Sequence, residues 1–154
     1  MLRFLMVSFV FWASAVHAAP PKSANPRIGV GILLGEPTGF SLELELNQTH
    51  ALDGAVSYSL VEGALHLHSD YLFRVNPYAQ THDLGLLVPY VGLGAQVAVG
   101  EKNDAGLSVR IPVGVINFSL KRRLGVFLEI VPGMAVLPAT ELVLGAALGA
   151  RYYF

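Results

Sequence analysis

From Arg27 to the C-terminus, apolar residues return at every second position in one run after another, separated by Gly, Pro, Asn, Asp and Lys clusters. A period of two is the repeat of a β-strand, whose successive side chains point to opposite faces. The runs are Arg27 to Leu34, Phe40 to Leu46, Ala51 to Val61, Leu65 to Arg74, Leu86 to Val99, Gly106 to Leu120, Leu124 to Val136 and Glu141 to Phe154. Connections such as Gly35-Glu36-Pro37-Thr38-Gly39, Asn47-Gln48-Thr49-His50, Glu62-Gly63-Ala64 and Lys121-Arg122-Arg123 are short enough for hairpins. The expected topology is therefore an up-and-down antiparallel meander of eight strands with one long connection, Val75 to Gly85.

The two faces of these strands differ in kind. In the last run Leu142, Leu144, Ala146, Leu148, Ala150, Tyr152 and Phe154 alternate with Glu141, Val143, Gly145, Ala147, Gly149, Arg151 and Tyr153. In the second, Phe40, Leu42, Leu44 and Leu46 alternate with Ser41, Glu43 and Glu45; in the fourth, Leu65, Leu67, Tyr71 and Phe73 alternate with His66, His68, Asp70 and Arg74. One face carries bulky apolar groups, the other small or ionisable ones. Eight strands with no helix to cover them leave two adhesive edges unless the first and last pair, and closure removes both.

Composition then decides which face is outside. Charged residues make up 14% of the chain and hydrophobic ones 53%, whereas a soluble domain carries about 25% charged residues to keep its surface wet. A soluble lipocalin-like barrel would turn the apolar face inward and need a polar exterior this chain does not have. The opposite arrangement, bulky groups against lipid and small or polar groups inside, is that of a transmembrane β-barrel with strands of about 9 to 11 residues. The expected fold is an all-β, eight-stranded antiparallel transmembrane barrel over residues 27–154. With ten Lys+Arg against eleven Asp+Glu there is no basic stripe for nucleic acid. The absence of cysteine excludes disulfides, thiolate zinc sites and a thiol nucleophile.

The N-terminus has the grammar of a secretory signal: Arg3, an apolar run from Phe4 to Val16, then Val16-His17-Ala18 before Ala19-Pro20. That run is short against the roughly 20 residues a helix needs to cross a bilayer. The expected organisation is a cleaved signal peptide over 1–18, a leader over 19–26 rich in proline, and the barrel. In this register Tyr71, Phe73, Tyr152 and Phe154 fall on the lipid-facing phase at one rim, where aromatic rings are favoured.

Turning the polar phase inward gathers Glu43, Glu45, Asp53, His66, His68, Asp70, Arg74, Arg110, Glu129, Glu141 and Arg151 in a narrow lumen. Buried ions must pair to offset desolvation, so the expected arrangement is a structural network. Arg110 should meet Glu43, Glu45 or Glu129, and Arg151 a neighbouring acid. His66, His68 and Asp70 share a strand face as zinc ligands can, but a zinc site needs a third strong ligand and an open position. Hydrogen-bonded lumen histidines are therefore expected, and no metal or cofactor. Ser57 and Ser59 beside His66 and His68 allow a Ser-His-Asp grouping to be imagined, on the lumen phase where an acyl chain has poor access. Glycines 29, 31, 92, 94, 145 and 149 would form a small-residue wall; if it opened, a thin water path would result.

The closing Arg151-Tyr152-Tyr153-Phe154, with Tyr152 and Phe154 on the lipid phase, resembles the C-terminal signal that outer-membrane barrels present to their assembly machinery. With Gly31-Ile32-Leu33-Leu34-Gly35-Glu36-Pro37-Thr38-Gly39 at the opening and Leu65-His66-Leu67-His68-Ser69-Asp70-Tyr71 in the fourth strand, the chain resembles the small eight-stranded barrels of the OmpA/OmpX-like class. That resemblance implies the bacterial outer membrane, contact with its lipids and passage through the barrel-assembly machinery. It implies no settled activity. The stubby outer connections at 35–39, 62–64, 100–105 and 137–140 depart from the tall loops of OmpX-like adhesins. The expected role is structural or interactive, without catalysis, and a protein partner is unidentified. A low-conductance pore, a lipid-modifying enzyme and a soluble lipocalin-like binder are the alternatives.

Overall fold

The computed structural model describes residues 26–75, 80–81, 85–100 and 104–154. The signal segment expected over 1–18 and the leader up to residue 25 lie outside the described residues, as do parts of the Val75 to Gly85 and 100–105 connections. Among the described residues the chain is all strand, turn and bend: β1 (Arg27–Glu36), β2 (Thr38–Glu45), β3 (His50–Ser59), β4 (Ala64–Arg74), β5 (Gln80–Thr81), β6 (Gly85–Gly100), β7 (Ala105–Arg110), β8 (Val113–Ser119), β9 (Leu124–Leu137) and β10 (Glu141–Tyr153).

These strands form one antiparallel sheet. Each successive long strand pairs with the next, and β10 pairs both with β9 and with β1, so the sheet closes into a ring. The closing seam runs from Gly29 opposite Tyr153 to Glu36 opposite Ala146. No edge of the closed stretch is left to template another chain.

The run expected as one strand from Gly106 to Leu120 is two, because Pro112 interrupts it. Proline has no N–H to give to a ladder. The interruption is confined to the hydrogen bonds: β7 and β8 both pair with β6 on one side and β9 on the other. Gly92 N–H donates to the Pro112 carbonyl at 2.7 Å and Ile111 N–H to the Pro132 carbonyl at 2.9 Å, which carries the ring past the break. The first strand is longer than expected and reaches Glu36, leaving Pro37 alone between β1 and β2. A short piece, β5, lies within the long connection and pairs with the start of β6.

The turns show why the chain reverses where it does. Asn47 Oδ1 accepts from the N–H groups of Thr49 and His50, and Ser59 Oγ accepts from Glu62 N–H, so short polar side chains take the place of ladder partners. At the β8–β9 turn Leu120, Lys121 and Arg122 all have positive φ, of 49°, 56° and 67°, a conformation disfavoured for residues with side chains.

Large apolar side chains cover the outside of every long strand, among them Ile32, Leu42, Val56, Leu67, Leu93, Val109, Leu128 and Leu148. The inside holds most of the charged residues of the strands and also an apolar cluster of Leu33, Ala51, Leu72, Val88, Tyr90, Ile116, Phe118, Phe127 and Tyr153. This cluster corrects the expectation of an inner face built only from small and ionisable groups. The inward phase of β6, β8 and β9 supplies most of it.

Candidate functional site

Two connected groups of polar side chains fill the interior. The first sits toward the end of the ring that contains Arg27, Arg74 and Tyr153. The Arg151 guanidinium donates to Ser41 Oγ at 2.8 Å, Glu43 Oε2 at 2.7 Å and Asp53 Oδ1 at 2.8 Å. Its far face lies 4.0 Å above the Phe127 ring. The Arg74 guanidinium bonds both Glu43 and Glu45, and the half-buried Arg27 also bonds Glu45. Tyr153 Oη donates to Glu43 Oε1 at 3.1 Å. Each carboxylate therefore meets a charge-assisted donor, which offsets the cost of taking it out of water.

The second group belongs to the other half of the lumen. Arg110 NH1 donates to Gln96 Oε1 at 2.8 Å, its NH2 lies 3.5 Å from Glu129 Oε1, and its Nε lies 3.1 Å from Asp70 Oδ2. Tyr90 Oη donates to Glu129 Oε2 at 2.8 Å. The amide nitrogen of Gln96 is 2.9 Å from His66 Nδ1. Since the amide oxygen accepts from Arg110, that nitrogen is the donor and His66 Nδ1 the acceptor, which puts the imidazole proton on Nε2. His66 Nε2 in turn faces Glu62 Oε2 at 3.1 Å.

Above this group the ring opens. A cavity of about 340 Å³ is lined by Leu33, His66, His68, Gln96, Arg110 and Glu129, with Glu36, Glu62 and Glu141 toward its mouth. Its volume exists because the inward residues here are small: Ala98, Gly106, Ser108, Gly133, Ala135 and Gly145 line the same space.

The structure brings most of the expected lumen residues together. Glu43, Glu45, Asp53, His66, His68, Asp70, Arg74, Arg110, Glu129 and Arg151 are all buried. Glu141 is not; it is exposed, because β10 pairs with β1 only from Ala146 onward and the first residues of β10 have a neighbour on the β9 side alone. The Arg110–Glu129 pairing is formed, whereas Glu43 and Glu45 belong to Arg74, Arg151 and Arg27. The trio His66, His68 and Asp70 is divided: His66 turns to Gln96 and Glu62, and Asp70 faces Asp53 across the β3–β4 pair. Ser57 Oγ has no hydrogen-bond partner, so the Ser–His contact a nucleophile needs is not made.

Arg27, Tyr90, Gln96 and Tyr153 complete the network and were not anticipated. All four share the inward phase of their strands with residues that were, Tyr153 with Arg151 and Gln96 with Gly94, so the signal was present. The glycine wall does not open a path where the network lies. An added Cβ at Gly94 would sit 1.8 Å from Asp70 Oδ1, and one at Gly149 would sit 2.2 Å from the Phe127 ring. These glycines are the places where a neighbouring strand's side chain lies across the backbone.

Tyr152 and Phe154 face outward beside each other, with ring centroids 5.1 Å apart. Tyr71 and Phe73 are likewise exposed at the same end, and His50 joins them, its Nδ1 2.7 Å from Tyr71 Oη. No family model, curated protein or solved structure matches this chain.

Proposed function

We propose that this chain is a small outer-membrane β-barrel protein of the OmpA/OmpX-like kind, with a structural or interaction role and no catalysis. The observation that carries the reading is the inversion of the ring: most ions of its strands are buried inside, and large apolar residues are exposed on every long strand. Leu42, Leu67, Leu128 and Ile130 are each more than half exposed although they sit in mid-strand. Soluble monomers rarely expose a contiguous apolar surface beyond a few hundred Å². A bilayer supplies the solvent such a surface needs.

In this reading the chain is exported by the segment 1–18, the first and last strands both leave their chain termini on the periplasmic side, and the outer connections carry Pro37, Gly63 and Pro138. The aromatic group Tyr71, Phe73, Tyr152 and Phe154 lies in the periplasmic interface. Lys121, Arg122 and Arg123 form a periplasmic turn. Outer-membrane lipids and the barrel-assembly machinery are the partners, the latter engaged through Tyr152 and Phe154. A plugged lumen favours this role over a pore, and its charged inner face is the reverse of what a lipocalin-like binder uses.

The test is gel mobility of the outer-membrane fraction, unheated against boiled. A folded barrel resists SDS until heated, so two mobilities are expected. One mobility and recovery in the soluble periplasm would overturn the proposal. Removing Phe154 is expected to lower the yield of the heat-shifting form while export across the inner membrane continues.

A further inference from the structure

We infer that Asp53, His68 and Asp70 form a buried site for a divalent metal of the zinc class, reached from the outer cavity. One ligand atom from each of these three residues lies within 4.8 Å of the other two, and all three residues are buried. Two adjacent strands place them: Asp53 on β3 is opposite Asp70 on β4, and His68 precedes Asp70 by two positions on the same face.

The second observation is the state of Asp70. It is 1% exposed, yet neither carboxylate oxygen accepts a hydrogen bond. Oδ2 lies 3.1 Å from Arg110 Nε and 3.8 Å from His68 Nε2, and neither contact is a hydrogen bond. Gly94 leaves the space this carboxylate occupies, since any Cβ there would collide with it. A buried acid held in a space reserved for it, ion-paired with Arg110 but accepting no hydrogen bond at either oxygen, has lone pairs left for a ligand.

Charge points the same way. The lumen carries five carboxylates, Glu43, Glu45, Asp53, Asp70 and Glu129, against the guanidiniums of Arg74, Arg110, Arg151 and the half-buried Arg27. The formal count leaves one buried carboxylate in excess, which a proton or a bound cation must neutralise. The two arginines nearest the site contact one oxygen of each acid: Arg151 donates to Asp53 Oδ1, and Arg110 lies beside Asp70 Oδ2, the oxygen that also faces His68 Nε2. They stand as groups that orient ligands from behind, and they also moderate affinity.

One imidazole and two carboxylates, with a water as fourth ligand, suit zinc and its first-row neighbours better than magnesium or calcium, which prefer oxygen alone. The route is present: His68 lines the cavity, and Glu36, Glu62 and Glu141 at its mouth would draw cations toward it.

The experiment uses the full chain folded in detergent, its fold checked by heat-dependent mobility, stripped with chelator and titrated calorimetrically with zinc chloride, with magnesium chloride as comparator. One zinc per chain is expected, with much weaker magnesium binding. Asp70→Asn and His68→Gln should each weaken zinc binding by at least about tenfold, and His66→Gln should leave it within about twofold. Zinc X-ray absorption on the unaltered protein needs no variant and should show one imidazole among oxygen ligands. Absence of zinc binding, two imidazoles in the spectrum, or loss on His66→Gln but not on His68→Gln would overturn the site. The mobility check separates this from the membrane reading: a heat-shifting barrel that takes no zinc removes the metal site alone.

Discussion

The two ends of the lumen share most of their strands and the same inward phase, yet one is packed and the other hollow. At the Arg27 end, Arg74, Phe118, Tyr153, Leu72 and Glu43 fill the space with almost no exposed side-chain surface, and aromatic rings lie against guanidiniums. At the opposite end the inward positions carry Ala98, Gly106, Ser108, Gly133 and Ala135, and a cavity remains. Small inward side chains make the difference, together with the start of β10, which pairs with β9 but not with β1. The packed end works as the core of the ring, and the hollow end keeps a cavity.

The comparison is broken most severely by removing a cation from the packed end. Arg151→Ala leaves Glu43 and Asp53 buried without their donor, and a loss of about 3–5 kcal/mol is expected on the cost of an unpaired buried charge. Urea unfolding in detergent reads it. Adding Glu43→Gln and Asp53→Asn to the same chain should recover part of the loss, because the repelling charges go with their partner.

A charge on the outer face tests the inside-out arrangement directly. Leu128→Arg, in the middle of β9 and exposed, is expected to cost about 2–4 kcal/mol when unfolding is measured from a lipid bilayer. The same change should cost little in a soluble protein, so a value near zero would place that face in water.

The next effect concerns close approach inside the ring. Gly149→Ala sets a methyl group against the Phe127 ring and should destabilise by about 1–3 kcal/mol through overpacking. Phe127→Leu in the same chain should relieve part of it. The smallest effect is expected at the hollow end. The nearest atoms to a Cβ at Gly106 are 3.5 Å and 3.9 Å away, ordinary contact distances, so Gly106→Ala should stay within about 0.5 kcal/mol of the parent. An equal cost for Gly106→Ala and Gly149→Ala would erase the distinction between the two ends.

Much of this was legible before the fold was known. The alternation in β2, β4 and β10 separated the inward from the outward residues, and Glu43, His68, Asp70 and Arg151 are buried as their phase required. Other features were not legible because they depend on neighbours. Pro112 announced a disturbance but not that its carbonyl would still accept from Gly92 and keep the ring intact. Glu141 had the right phase and the wrong height, since phase says nothing of how far a strand projects past its partners. The polar neighbours of Asp70 were hidden for a related reason: spacing along one strand grouped it with His66 and His68, while pairing between strands sets Asp53 opposite it.

Side-chain alternation is local, carried by each strand's own backbone, so the chain alone decided which residues face in, which face out, and that the ions would be enclosed. The stagger between strands is a property of the closed ring, set by where β10 meets β1 and by every turn between. It decided that Arg151 reaches both Glu43 and Asp53, that Arg110 lies beside an acid it does not hydrogen-bond, and that the small inward residues coincide in height to leave one end hollow.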